Sequence, residues 1–244
     1  MIDYLYDGSF EGLLTCIYLH YYKEKASGIY ARNEYQPDLI KASKEITTNY
    51  TFSDKVYTAV KNKIAPLALQ NTYYLYLSNA PDKENLILAY LRMGFKVGKA
   101  VDSYHANTII HNVHRICGKV TAEKHRFLGL VRFTDTGSFL YAVIEPDHNI
   151  LSLLGDHFSN RLKNENLIIH DKKRSLALVS SDGIWYITDF KRDDNFPLWE
   201  KETYYRSLWK NYFENIFIKG RKNPKLQAQY MPRRYWKNLP EVNG

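Results

Sequence analysis

The stretch KHRFLGLVRFTDTGSFLYAVI, residues 124–144, is where the spacing of apolar side chains changes along the chain. Upstream of it, apolar residues recur every three or four positions, which is typical of amphipathic helices. Within it, Phe127, Gly129, Val131 and Phe133 fall on one face at a spacing of two, and Leu128, Leu130 and Arg132 fall on the other. This period of two predicts a strand over 127–133, a hairpin turn at 134–137 and a returning strand over 139–144. Helices and strands therefore occupy separate parts of the chain, which predicts an α+β fold.

The patterns on either side of this stretch complete the predicted fold. The N-terminal part is expected to form one strand followed by helices, over 2–6, 10–22, 53–64, 66–77, 82–101 and 109–120, with no element assigned to 27–50. The C-terminal part is expected to form a helix, three strands and an amphipathic helix, over 149–162, 167–170, 175–180, 184–190 and 204–217. We expect a mainly helical region, 1–123, and an antiparallel sheet of hairpins with a C-terminal amphipathic helix and basic tail, 124–244, together forming one compact unit.

The composition is that of an ordinary globular protein. The 244 residues are 45% apolar and 25% charged, which excludes a wholly disordered chain, a collagen-like chain and a coiled coil. The longest apolar run, residues 13–19, is shorter than the roughly 20 residues that a membrane helix needs. The N-terminus carries two acids and no basic region, which is not typical of a signal peptide. We therefore expect a cytoplasmic protein that makes no contact with a membrane.

The cysteines and histidines form no recognisable metal-binding or cluster motif. Cys16 and Cys117 are far apart, which favours buried thiols, with a disulfide between them as the alternative. His105, His111 and His114 crowd one predicted helix, but no carboxylate falls at ligand spacing there. We interpret these histidines as part of a solvated face, and we expect neither a metal nor a cofactor.

Positive charge is concentrated at the C-terminal end. Residues 215–244 carry seven Lys and Arg against one Glu, which is +6 of the net +8. The segment QYMPRRYWK, residues 229–237, interleaves arginines, which suit phosphates, with rings that stack on unpaired bases. The candidate nucleic-acid-binding residues are therefore Arg221, Lys222, Arg233, Arg234, Tyr235, Trp236 and Lys237. The alternative is a tail that packs Tyr230, Tyr235 and Trp236 into the core and leaves its arginines solvated.

Two predicted strands are each followed by carboxylate and imidazole side chains, in the segments EPDH, 145–148, and HD, 170–171. An Asp–His pair can orient and tune a general base, so Asp147, His148, His170 and Asp171 are the candidate catalytic residues. The structural alternative is that Asp147 caps the following helix and that the second segment makes a turn. No nucleophile elbow, HExxH motif or kinase motif accompanies these segments.

Several segments together resemble a bacterial family of DNA metabolism and DNA repair proteins, over the whole chain. They are YDGSFEG at 6–12, EPDH at 145–148, IHD at 169–171, NPKLQ at 223–227 and, most distinctively, MPRRYWK at 231–237. The resemblance implies association with a radical S-adenosylmethionine (SAM) protein assigned to DNA modification, and some family members carry a uracil-DNA glycosylase-like domain. This chain has no CxxxCxxC motif for an iron–sulfur cluster, so radical or glycosylase chemistry would come from another polypeptide.

Three hypotheses follow for the function. The first is an accessory protein of DNA repair or DNA metabolism that binds nucleic acid, DNA in the first instance, through the basic tail and acts with the radical SAM protein. The second is a phosphate-handling enzyme that uses the Asp and His segments, and it requires both segments to meet the tail. The third is a protein-binding adaptor without DNA contact, and it predicts an exposed apolar patch.

Overall fold

The structure is a computed structural model that describes residues 2–37, 41–191, 207–208 and 223–239. The chain divides into two compact units, Met1–Thr121 and Ala122–Gly244, and each is described by itself below. Helices dominate the first unit and a five-stranded sheet lies in the second, so the α+β prediction is confirmed. In the part of the chain that the structure describes, no helix is both long and apolar enough to cross a membrane.

The N-terminal unit contains a three-stranded parallel sheet. Strand β1 (Ile2–Tyr6) lies between β2 (Ala26–Ala31) and β3 (Ala42–Glu45) and runs parallel to both. Helix α1 (Phe10–Tyr22) connects β1 to β2, and the predictions of β1 and α1 are confirmed. No element was expected where the two outer strands form. Every residue of β3 is exposed, so this strand has no apolar alternation and is held by its backbone pairing with β1.

Helices form the rest of the N-terminal unit, as the apolar spacing predicts. Asn49, rather than Ser53, caps the second helix, because the Asn49 side chain accepts a hydrogen bond from the Phe52 amide at 3.1 Å. The helical segments are α2 (Tyr50–Ala59), a π-helical turn (Val60–Ile64), α3 (Pro66–Leu77), α4 (Lys83–Val97), a 3₁₀ helix (Gly98–Ser103) and α5 (Thr108–Leu130). Helix α5 crosses the boundary between the two units.

The core of the N-terminal unit joins the sheet to these helices. Leu13, Ile17, Ile64, Leu91 and Val113 are fully buried members of one apolar cluster. Cys16 and Cys117 are also buried, and both are free thiols, as predicted. Burial raises the pKa of each thiol to about 12, so neither is a reactive thiolate at neutral pH.

The C-terminal unit contains a mixed sheet of five strands in sequence order, β4 (Thr134–Asp135), β5 (Leu140–Ile144), β6 (Leu167–Asp171), β7 (Leu176–Ser181) and β8 (Ile184–Asp189). The predictions of the last four strands are confirmed. Strands β5 and β6 are parallel, whereas the other neighbours are antiparallel. The reason is helix α6 (Leu151–Arg161), which connects β5 to β6 as a crossover instead of a hairpin.

The strand predicted over 127–133 is wrong, because α5 continues through Leu130. Phe127, Leu130 and Val131 are all buried, whereas Gly129 is exposed, and this is helical spacing. Residues 127–133 carry five apolar side chains, at both odd and even positions, so this run is compatible with both periods. The preceding buried positions, Val120 and Glu123, lie at helical spacing from Phe127, so the helical pattern continues into this run. In place of the predicted strand, the two-residue strand β4 is the antiparallel neighbour of β5.

The packing of α6 on β8 depends on a glycine. A Cβ atom at Gly155 would overlap the indole ring of Trp185, whose Nε1 also donates a hydrogen bond to Asp156 Oδ1 at 2.8 Å. Gly155→Ala must displace this ring. We therefore expect it to lower the free energy of unfolding by about 1–3 kcal/mol, measured by urea denaturation.

The matched control for this prediction is Gly118→Ala. Gly118 lies inside α5, and a Cβ atom there meets nothing within 4 Å. This substitution is expected to stabilise the protein by about 0.5–1 kcal/mol through helix propensity. Equal effects of the two substitutions would contradict the packing argument.

Candidate nucleic-acid interface

The closing basic motif folds as two short helical segments. The helix Pro224–Tyr230 is capped by Asn223, whose side chain accepts a hydrogen bond from the Leu226 amide at 3.0 Å. Pro232 then precedes the 3₁₀ helix Arg233–Asn238. The indole Nε1 of Trp236 donates a hydrogen bond to the Met231 carbonyl at 2.8 Å, and this contact closes the turn between the segments.

A buried carboxylate on α5 anchors this motif. Glu123 is 2% exposed, and its Oε1 and Oε2 accept hydrogen bonds from the amides of Asp147 and His148 at 2.9 and 2.8 Å. The hydroxyl of Tyr235 donates a hydrogen bond to Oε1 as well. Burial and this hydrogen bond raise the pKa of Tyr235. Glu123 therefore connects the 145–148 loop to the closing motif.

Arg234 connects the same loop and motif at the surface. Its Nη2 lies 2.8 Å from Asp147 Oδ2 and donates a hydrogen bond to the Tyr235 hydroxyl at 2.7 Å. Burial opposes the charged form of Arg234, but the bond with Tyr235 and the charges of Asp147 and Glu123 outweigh it, and its pKa is raised. The guanidinium group is held in place as a permanent cation.

Two further side chains, Lys237 and Arg174, stabilise the 145–148 loop. Lys237 Nζ lies 2.6 Å from Glu145 Oε2. Arg174 donates hydrogen bonds to the carbonyls of Pro146 and Asp147, at 3.2 and 2.6 Å, and to Asp171 Oδ2 at 2.8 Å. The loop after β5, the hairpin after β6 and the closing motif therefore meet in one cluster within the C-terminal unit.

The four candidate catalytic residues differ in exposure. Asp171 is fully buried, and its Oδ1 accepts hydrogen bonds from the amides of Lys173 and Arg174. These bonds form a turn, which is the structural alternative considered above for this segment. His148 is 7% and His170 6% exposed, and His170 Nδ1 is hydrogen-bonded to the hydroxyl of Tyr141 at 2.7 Å. Only the side chain of Asp147 is substantially exposed, at 36%. It does not cap α6, because it pairs with Arg234.

The candidate nucleic-acid residues also separate into two groups. Tyr235 is 3% exposed and packs edge-on against Phe127 at 4.8 Å, so its ring is not placed to stack on a base. Arg233 is exposed, and its guanidinium lies 5.8 Å from the ring centre of half-buried Trp236. Arg221 and Lys222 lie outside the described residues, as does nearly all of the predicted helix over 204–217.

Glu123 and Arg174 are central to the cluster and were not among the predicted site residues. Glu123 had a signal in the sequence. It lies three residues after Val120 and four before Phe127, at a buried position of a helical pattern, where an acid needs a partner. The role of Arg174 depends on where the 145–148 loop lies in space, and no local pattern indicates it.

The opening motif lies at the carboxyl end of β1 in the N-terminal unit. Asp7 accepts hydrogen bonds from the Ser9 amide, the Ser9 hydroxyl and the Thr48 hydroxyl, at 2.9, 2.6 and 2.8 Å. Burial opposes ionisation of Asp7, but these hydrogen bonds lower its pKa. A Cβ atom at Gly12 would overlap this carboxylate, which explains the glycine. The motif orders the β1–α1 connection.

The histidines near α5 take part in side-chain contacts within the N-terminal unit. His114 Nε2 lies 2.9 Å from Asp102 Oδ1, which also accepts hydrogen bonds from Tyr90 and Asn71. The rings of His105 and His114 lie 5.7 Å apart. Among the described residues, no group of three or more histidine, cysteine or acidic side chains is placed to hold a metal ion.

The fold and this cluster define an α+β protein whose basic closing motif is bound to two acid-bearing loops. A family model matches residues 81–241, which is more than half of the chain, and it describes a domain of unknown function. The chain therefore belongs to the DUF4130 family. No curated protein and no solved structure matches it significantly.

Removing the charge of Glu123 tests its anchoring role. In Glu123→Gln, the side-chain amide cannot accept at both terminal atoms, and Arg234 loses a compensating charge. We expect the free energy of unfolding to fall by about 1–3 kcal/mol in chemical denaturation. Tyr235→Phe removes two hydrogen bonds, one donated to Glu123 and one accepted from Arg234, and should cost about 1–3 kcal/mol. An unchanged stability in Glu123→Gln would argue against the anchor.

Proposed function

We propose that this protein is a nucleic-acid-binding accessory of DNA repair or DNA metabolism. Contact is made through the outward side of the closing motif, with Arg233 on a phosphate and Trp236 stacking on a base. The observation that carries the proposal is the exposed Arg233 guanidinium beside the Trp236 ring, on a motif held in place by Glu123, Arg234 and Tyr235. A fixed motif loses little conformational entropy when it binds.

The ion pairs determine which cations are suited to phosphate contact. Arg234 and Lys237 pair with Asp147 and Glu145, so their charges are partly neutralised within the protein. Exposed cations in this unit include Lys172, Lys173, Lys225 and Arg233. Phosphate contacts of this kind give binding that depends on salt and only weakly on sequence.

Acid–base chemistry receives less support from the same cluster. The enzymatic hypothesis requires the two loops to meet the closing motif, and they do. Yet Asp171 is fully buried, and the two histidines are nearly so. Asp147 is the one exposed member of the predicted catalytic group, and its carboxylate is paired with Arg234. This arrangement favours a structural role for the loops and a binding role for the surface.

The DNA context and the partner come from the sequence resemblance. The motifs shared with DNA metabolism and DNA repair proteins imply a radical SAM protein as the partner, and the chemistry would belong to that partner. In this proposal the DUF4130 chain holds the nucleic acid while the partner acts on it.

Binding of labelled DNA across a salt series tests the proposal. We expect Arg233→Ala to weaken binding several-fold at about 100 mM salt and to reduce the slope of log affinity against log salt by roughly 0.7–0.9, the share of one phosphate contact. Trp236→Ala should weaken single-strand binding about fivefold or more through lost stacking.

The control is Arg115→Ala, an exposed arginine on α5 in the N-terminal unit. It removes the same charge from the whole chain without touching the closing motif. Equal losses in Arg115→Ala and Arg233→Ala would mean that net charge, not this motif, attracts the DNA.

A protein-binding role is favoured by one further observation. Strand β8 stands at the end of the described strand order and exposes Ile184 at 75%, Tyr186 at 58% and Ile187 at 36%. Apolar side chains grouped on one strand are typical of an interaction surface. We expect the double substitution Ile184→Ser and Tyr186→Ser to reduce capture of the purified radical SAM partner at least about fivefold in a pull-down, and to leave DNA binding unchanged. Undiminished capture would contradict this role.

A further inference from the structure

A groove of about 940 Å³ opens in the N-terminal unit, between α1, α2, the π-helical turn and α4. This volume is in the range of ligand-binding clefts. The side chains that matter to the argument are Tyr18, Tyr21, Tyr22, Lys55, Lys63 and Phe95. None of them belongs to the closing motif, and the function proposed above does not use them.

Aromatic rings form a short stack along the groove. The rings of Phe52 and Tyr18 lie parallel at 4.3 Å, and those of Tyr18 and Tyr22 lie at 4.6 Å with an angle of 32°. Tyr22 is 72% exposed although one side of its ring packs on Tyr18, so its outer side is open to solvent. Another flat ring can extend the stack there. Tyr21 and Phe95 form an edge-to-face pair at 5.8 Å on the same lining.

Cations surround these rings. Lys55 Nζ lies 5.7 Å from the ring centre of Tyr18 and 5.9 Å from that of Phe52. Lys63 also lines the groove, and the positive charge of Arg92 acts on the hydroxyl of Tyr21. One acid, Asp54, lies in the lining. The groove therefore combines stacking surfaces with an excess of positive charge, as sites for single-stranded nucleic acid do.

The π-helical turn places part of this lining. Residues Val60–Ile64 widen the backbone by one residue, and the Ala65 amide donates its hydrogen bond to the Val60 carbonyl at 3.1 Å. Asn62 and Lys63 of this turn line the groove, while Ile64 is fully buried in the core. Turns of this kind are rare and occur frequently at functional sites.

We propose that this groove binds a single-stranded segment of nucleic acid. One base stacks on Tyr22, and Lys55 and Lys63 hold the neighbouring phosphates. The inference rests on the proposed function for its ligand class and adds a second contact surface. A helix of a protein partner fits the groove less well, because such helices insert apolar anchors into apolar grooves and this lining carries tyrosine hydroxyls and lysines.

Fluorescence anisotropy of the full chain tests the inference, with an oligothymidine of about 15 nucleotides and a duplex of the same length as probes. We expect Tyr22→Ala to weaken single-strand binding at least about fivefold, whereas Tyr22→Phe keeps the affinity because the ring does the stacking. Lys55→Ala should weaken it several-fold and reduce its salt dependence. Duplex affinity should not change, because paired bases offer no open face to Tyr22.

The matched control is Tyr104→Ala. Tyr104 is 46% exposed in the same unit and does not line the groove, and its substitution is expected to leave both affinities unchanged. Circular dichroism verifies the fold of each variant. Tyr22 is the last residue of α1 and highly exposed, so its truncation should not disturb the core.

The outcomes separate this inference from the proposed function. Single-strand binding that depends on Tyr22 and Lys55 but not on Arg233 supports the groove and overturns the role of the closing motif. Binding that depends on Arg233 alone supports the motif and overturns the groove, leaving a protein segment as its occupant. Loss of binding in both sets of variants supports both surfaces, and no binding of either probe overturns both.

Discussion

The arrangement of the C-terminal unit depends on the buried carboxylate of Glu123. Taking an ionised carboxylate out of water costs several kcal/mol unless donors replace the lost water. Glu123 receives two backbone amides and one tyrosine hydroxyl, from residues that lie 24, 25 and 112 positions away in sequence. These donors satisfy Glu123 only when the loop and the closing motif are both in place. The two segments are therefore ordered together.

Ion pairs with the 145–148 loop change how the basic tail should be interpreted. A count of charges along the sequence gives every cation equal weight. In the structure, Arg234 and Lys237 compensate carboxylates of the 145–148 loop, whereas Arg233 and Lys225 are directed to solvent. Neighbouring residues of one motif thus have opposite tasks. One set holds the motif on its own unit, and the other remains suited to an anionic partner.

Local patterns predicted most of the elements, because helices α1–α6 carry apolar residues at helical spacing and strands β5–β8 contain short apolar runs. The outer strands of the N-terminal sheet were missed, since β3 is exposed throughout and is specified by pairing with β1. The end of α5 was misjudged because Phe127 and Val131, four residues apart, share a face in a helix and in a strand.

The sequence likewise indicated some parts of the candidate site and not others. The sequence indicated the closing motif and both acid-bearing loops, because unusual residue types cluster in each of them. It did not indicate that Arg174 and Glu123 connect these segments, since each contact joins residues that are close only after folding. Nor did it separate Tyr235, which is buried, from Trp236 beside it, which is half-buried.

The limits of the family match do not coincide with the limits of the N-terminal unit. The family match starts at residue 81, so it includes α4 and the whole of α5 but not the sheet of the N-terminal unit. Ile87, Leu91, Ile110 and Val113 are buried in the core that α1 shares. A fragment cut at the limits of the sequence family would expose these side chains to water and would be prone to aggregate. The segment that sequence comparison delimits therefore does not coincide with a unit of the fold, and a fragment that contains α4 needs residues 1–80 to cover these side chains.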